Sequence, residues 1–223
     1  MYFGEFQDLR NLNIPNSHDF DQYEGYYSKF QVTILCDKDA VNPADSLKGL
    51  LTGLGVDVTT VSEFTDVSVD SELVVVLQAE KCGEAFNTYA MEKGIMWLPV
   101  QFSHSTGRIG PIIVPGYSAC YECAQRRSSS NGLAPLEPRN DMFDLSWSVL
   151  SGVIAIETAK WISRHTSSFP PLSLGHMIDF DAFHLQGEVN PIYKLPTCPS
   201  CGTRNQARLG VQPWRESDLV LGQ

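Results

Sequence analysis

Two short cysteine pairs, Cys120-Tyr-Glu-Cys123 and Cys198-Pro-Ser-Cys201-Gly202, use four of the six cysteines in this 223-residue chain and are separated by 74 residues. A Cys-x-x-Cys turn lets two thiolates converge on one ion while nearby backbone amides point at the sulfurs, and two such turns complete a four-sulfur shell. Pro199 and Gly202 suit a tight knuckle. The reading is one tetrahedral structural zinc held by Cys120, Cys123, Cys198 and Cys201. A closed shell leaves no position for water or substrate, so this metal would tie a distant C-terminal segment to the middle of the chain rather than do chemistry. A pair of disulfides and a thioredoxin-like redox pair are the alternatives for the same residues. Cys36 and Cys82 stand singly among apolar residues and read as core thiols.

The other chemistry-bearing residues give weaker signals. His18, His104, His165, His176 and His184 form no His-Glu-x-x-His spacing, and no Gly-x-Ser-x-Gly elbow supports a hydrolase. Only His104, in the turn from Ser103 to Gly107, is kept as a site candidate.

Composition bounds the partners. With 43% hydrophobic and 19% charged residues the chain can bury a full core and reads as one domain. A formal net charge of -10 argues against nucleic acid, whose phosphates need a basic surface. The start MYFGEFQDLR lacks the basic and apolar regions of a signal peptide, and apolar runs such as Leu73 to Leu77 are far too short to cross a bilayer. A cytoplasmic protein without membrane partners is expected.

The elements that must position the cysteines follow from periodicity. Residues 1–30 have no clear period and read as an irregular arm. Val32, Ile34 and Cys36 alternate as a strand, Pro43 to Leu54 suits a helix ending at Gly55, and Val56 to Val61 is β-branched. Leu73 to Gln78 reads as a strand buried on both faces, Glu84 to Lys93 as a helix stopped by Gly94, and Ile95 to Phe102 as the next strand. This rhythm implies an α/β fold with a Rossmann-like, mostly parallel sheet flanked by helices.

Ile109 to Val114 is expected to extend the sheet into the first knuckle, and Ser128 to Arg139 reads as a loop. Between Asp141 and His165, Phe143, Trp147, Leu150, Ile154, Thr158 and Trp161 lay out one broad helical face. Strands over Gly175 to Phe180 and Asn190 to Leu195 lead to the second knuckle, and residues 203–223 form a tail.

The stretch from Gly110 to Cys123, the helix Ser151 to Lys160, Met177-Ile-Asp-Phe-Asp181 and Pro196 to Gly202 together resemble the ThiF-like superfamily that contains ubiquitin-activating enzymes, over residues 31–202. Catalytic members adenylate a carboxylate and place a Gly-rich turn after the first strand for the triphosphate. The matching turn here, Cys36 to Pro43, contains no glycine, and Asp37 and Asp39 set negative charge where polyphosphate would lie. The acidic residue that meets the ribose has only Glu63 as a counterpart.

The resemblance therefore implies an ATP-less member, similar to the zinc-bearing partners of YcaO-type cyclodehydratases in azoline and azole peptide biosynthesis. In that setting the YcaO protein activates the amide with ATP, while the ThiF-like subunit supports it and helps present the precursor peptide. The resemblance carries over the four cysteines, adds Arg126 and Arg127 as basic residues after the first knuckle, and implies a homodimer. Such partners begin with a winged-helix-like leader-binding module that 30 irregular residues cannot build, so leader binding is expected on another chain. An adenylating enzyme using Lys81, Cys82 or Arg108, and a zinc-stabilised dimeric interaction module, are the alternatives.

Overall fold

The computed structural model describes residues 26–37, 41–103, 105–132, 136, 143–164 and 170–202. Its strands are β1 (Gln31–Leu35), β2 (Asp57–Val61), β3 (Leu73–Leu77), β4 (Trp97–Ser103), β5 (Thr106–Ile109), β6 (His176–Asp181) and β7 (Gln186–Pro191). Its α-helices are α1 (Val41–Gly53), α2 (Ala79–Lys93), α3 (Tyr121–Ser130) and α4 (Phe143–Ile162). One seven-stranded sheet runs in the order β2-β1-β3-β4-β5-β6-β7.

The expected α/β architecture with a mostly parallel sheet is present. β2, β1, β3 and β4 run parallel, as crossover helices require. The short turn at Ser105 then reverses the chain, and β5, β6 and β7 add an antiparallel extension that the strand-and-helix rhythm did not reveal.

Helices cover both faces. On one, Leu47 and Leu51 of α1 pack with Leu150 and Ile154 of α4 against Ile34, Val75 and Leu98. Trp147 donates its indole N–H to the Pro43 carbonyl at 3.2 Å, which fixes α4 against α1. Trp147, Leu150, Ile154, Thr158 and Trp161 are all buried, so the stripe on α4 is core, as read; the side chain of Phe143 lies outside the described residues. On the other face, Phe86 and Ala90 of α2 pack with Trp97 and Tyr121.

Four boundaries differ from the reading, each for a local reason. α2 begins at Ala79, five residues before Glu84, although Gly83 looks like a breaker. Gly83 is there for space: a Cβ on it would lie 2.8 Å from the Tyr121 ring. The strand expected over Ile109 to Val114 ends at Ile109, because Gly110 takes φ +91° and Pro111 has no N–H for the ladder; Ile112 and Ile113 make only isolated bridges. β7 begins at Gln186, four residues before Asn190, after Leu185 turns the chain at φ 53°. Ser128 to Ser130, read as loop, form the last turn of α3, and most of the stretch up to Arg139 lies outside the described residues.

Candidate metal centre

Both knuckles hang from sheet ends. After Ile113, Ser118 Oγ accepts the Val114 N–H at 2.7 Å, a local bond that turns the chain toward Cys120. Cys120 is the N-cap of α3 and Cys123 lies in its first turn, so the first pair opens a helix rather than a free turn as expected. The second pair follows β7: Cys198 N–H donates to Leu195 O at 3.1 Å and Gly202 N–H to Cys198 O at 2.7 Å. A Cβ on Gly202 would lie 2.4 Å from that same carbonyl, so this turn closes only with glycine.

The structure brings Cys120, Cys123, Cys198 and Cys201 together, with all four sulfurs within 4.8 Å of one another and all four residues buried. The Sγ–Sγ separations are 3.8 Å for Cys120–Cys123, 3.6 Å for Cys120–Cys198 and 3.4 Å for Cys123–Cys201. A tetrahedron with metal–sulfur bonds of about 2.3 Å has edges of about 3.8 Å. A disulfide needs about 2.05 Å, and all six cysteines are free thiols. Four converging thiols with these spacings could hold one metal ion, and their closed geometry suits a structural site.

The four thiols share their protons unevenly. Hydrogen bonds from Cys120 and Cys201 hold the Cys123 thiol well below its ordinary value, assisted by the Leu195 N–H at 3.4 Å, while the bond to Cys123 pushes Cys120 up, and Cys201 is pushed up as well. Glu122 braces the other side. Its carboxylate accepts the Ser200 hydroxyl at 2.6 Å and the Cys198 thiol at 3.7 Å, and Arg126 donates to it at 2.6 and 2.9 Å. The Ser200 bond, then Arg126, holds the Glu122 carboxyl below its ordinary range. Arg127 donates to Tyr193 O at 2.6 Å and lies over the Tyr193 ring. Arg126 therefore braces the cluster through Glu122, and Arg127 ties α3 to the segment leading to the second pair.

A second region lies at the C-terminal ends of β1, β2 and β3. A cavity of about 190 Å³ opens there, lined among others by Asp37, Glu63, Gln78, Lys81 and Cys82. Lys81 donates to Asp37 at 2.6 Å. Burial, then the Glu80 and Asp37 carboxylates, pushes the Cys82 thiol up, which is the reverse of an activated nucleophile. Arg108 is engaged elsewhere, donating to its cross-strand neighbour Asp179 at 2.7 Å. His104 and Asp39 lie outside the described residues. Sequence reasoning missed Glu122 and Gln78; Glu122 sits inside the first cysteine pair and was visible there, while Gln78 carries no signal in its residue type.

No protein-family model matches this chain, and no curated protein matches its sequence. Its fold is similar to solved structures. A heterocyclase in complex with substrate and cofactor superposes with a TM-score of 0.65 at 21% identity, covering 82% of this chain and 28% of that one. The heterocyclase TruD gives 0.62 at 21% identity, covering 83% and 30%. MccB from E. coli gives 0.63 at 16% identity, covering 92% and 77%. The chain thus spans under a third of the two heterocyclases and most of MccB, and the likeness establishes the shared fold. Among the described residues no helix is long and apolar enough to cross a membrane.

Proposed function

We propose that this chain is a noncatalytic ThiF-like partner subunit in the biosynthesis of a ribosomally made azoline- or azole-containing peptide, such as a bacteriocin. It supports a YcaO-type cyclodehydratase and helps present the precursor peptide. In this reading residues 31–202 form the ThiF-like domain, flanked by an arm over 1–30 and a tail over 203–223, and the protein is a cytoplasmic homodimer. The four cysteines hold a structural zinc.

The reading is carried by the corner at β1 to β3. On a fold similar to that of two heterocyclases, the turn after β1 lacks glycine and the Asp37–Lys81 ion pair stands where a polyphosphate would need an open, positively polarised cradle. Rebuilding the reaction with a YcaO-type enzyme, ATP and a Cys/Ser/Thr-rich precursor tests it. Loss of one water per ring, seen by mass spectrometry, should require this chain, and equal ring formation without it would discard the proposal.

A second reading is an activating enzyme that adenylates a peptide or carrier-protein carboxylate. It is favoured by the likeness to MccB, which has also been solved with ATP, and by the retention of a cavity at this corner. Pyrophosphate exchange catalysed by the chain alone with a precursor peptide would select this reading; its absence with peptide and carrier substrates would select the first.

A further inference from the structure

α4 is apolar on both sides. Its inward stripe from Trp147 to Trp161 is core, and the opposite side, formed by Leu145, Val149, Gly152 and Ile156, carries no charge over three turns. Leu145 is 78% and Ile156 56% exposed. A helix that is apolar all round belongs in an interior, so the outer side lacks its cover among the described residues. Gly152 points the same way. Glycine weakens a helix, and a Cβ at this position would meet nothing within 4 Å, so no neighbour within the chain calls for it; a close approach by another backbone would.

The spacing of these residues matches the stripe to itself. Leu145, Val149, Gly152 and Ile156 are separated by four, three and four residues, the seam along which two helices pack. A second α4 laid antiparallel, centred between Leu150 and Ser151, sets Leu145 against Ile156 of the other copy and Val149 against the gap at Gly152, with the same pairs repeated in reverse. That reciprocity is what a two-fold interface requires, and an unrelated partner would not require it. Charge agrees, since a chain of net charge -10 meets its own copy best through an uncharged face. Area decides how much of the face is needed. The 20 residues of α4 make a helix about 30 Å long and about 10 Å wide, far less surface than the about 800 Å² that each partner of a stable interface buries. α1 lies beside α4 and exposes Leu50 and Leu54, and the two helices together present about 600 Å² in projection, close to that requirement.

We propose that α4 and α1 form the two-fold interface between two copies of this chain, with α4 packed antiparallel on α4 of the second copy. This interface rests on the homodimer of the partner-subunit reading and gives that homodimer its face. It is read out by mass and cross-linking rather than by ring formation, so the interface and the partner-subunit reading fail separately.

Sedimentation equilibrium of the full, metal-loaded chain should give twice the mass of one copy. Ile156→Arg and Gly152→Met should each weaken association at least about tenfold while the far-ultraviolet spectrum is unchanged, because a single copy has open space at both positions. With Leu145→Cys and Ile156→Cys in the same chain, a short bis-maleimide should join two copies, and either substitution alone should not. A dimer that survives both Ile156→Arg and Gly152→Met would overturn the proposal while leaving the homodimer standing, as would equal cross-linking of the two single variants. A monomeric chain would overturn both. If that monomer associates only once residues 1–25 are removed, the face belongs to the chain's own arm; if it binds a YcaO-type enzyme and loses that binding with Ile156→Arg, the face belongs to the enzyme.

Discussion

The clasp and the corner sit at different places on one sheet and were treated differently. At the clasp every sulfur faces another sulfur, and Glu122, Ser200, Arg126 and the Leu195 N–H complete the polar contacts around them. At the corner Asp37 and Lys81 hold each other, and the Gln78 oxygen has no donor among the described residues. The contrast is between a cluster whose polar groups meet partners on every side and a cavity whose lining is only partly paired.

Breaking the clasp should have the largest effect. Structural zinc contributes about 10–16 kcal/mol in finger peptides, so Cys198→Ser should abolish metal retention, measured by elemental analysis. It should expose residues 192–202 to proteolysis before the sheet unfolds, and a variant that keeps both metal and protection would break the comparison. Gly202→Ala comes next. With backbone 2.4 Å from the new Cβ, the knuckle must open, and a loss of about 1–3 kcal/mol is expected in denaturant melts of the metal-loaded protein.

Glu122→Gln leaves the four sulfurs in place and weakens the bonds from Ser200 and Arg126 through which α3 holds the second pair, so metal affinity should fall about 10- to 100-fold in competition with a chelator. The same carboxylate gives the clasp a pH dependence. Its pKa is lowered by folding, so its contribution is complete above the ordinary carboxylate range and is lost as the pH falls through the lowered value. Thiolate protonation acts in the same direction, so metal release, followed spectroscopically with cobalt, should increase on acidification. The corner should be the least sensitive to stability. The Asp37 and Lys81 side chains are 38% and 46% exposed, and Lys81→Ala should change stability by no more than about 1 kcal/mol in a thermal melt.

Much of this was legible in the residues. The apolar run Leu73 to Leu77 and the stripe from Trp147 to Trp161 match the element and the burial observed, while the alternation at Val32 and Ile34 marks a strand that is buried on both faces and ends before Cys36. The four cysteines were legible as one cluster because thiolate spacing is itself the signal. The antiparallel extension was not, since β7 is an edge strand of mostly exposed residues with no apolar period to betray it. α3 was hidden for a related reason: Tyr121 to Ser130 is mostly polar and is held by the buried Tyr121, Cys123 and Ala124, so its helix depends on tertiary packing. Gln78 could not be found from sequence, because only its backbone conformation and an oxygen without a donor among the described residues set it apart.

The partner-subunit reading is tested most directly by the mass of a precursor peptide incubated with ATP and a YcaO-type enzyme, with and without this chain. The expected result is stepwise loss of water only when both proteins are present, and no nucleotide added to the peptide by this chain alone. Ring formation at the same rate without the chain, or adenylation of the precursor by the chain alone, would contradict it.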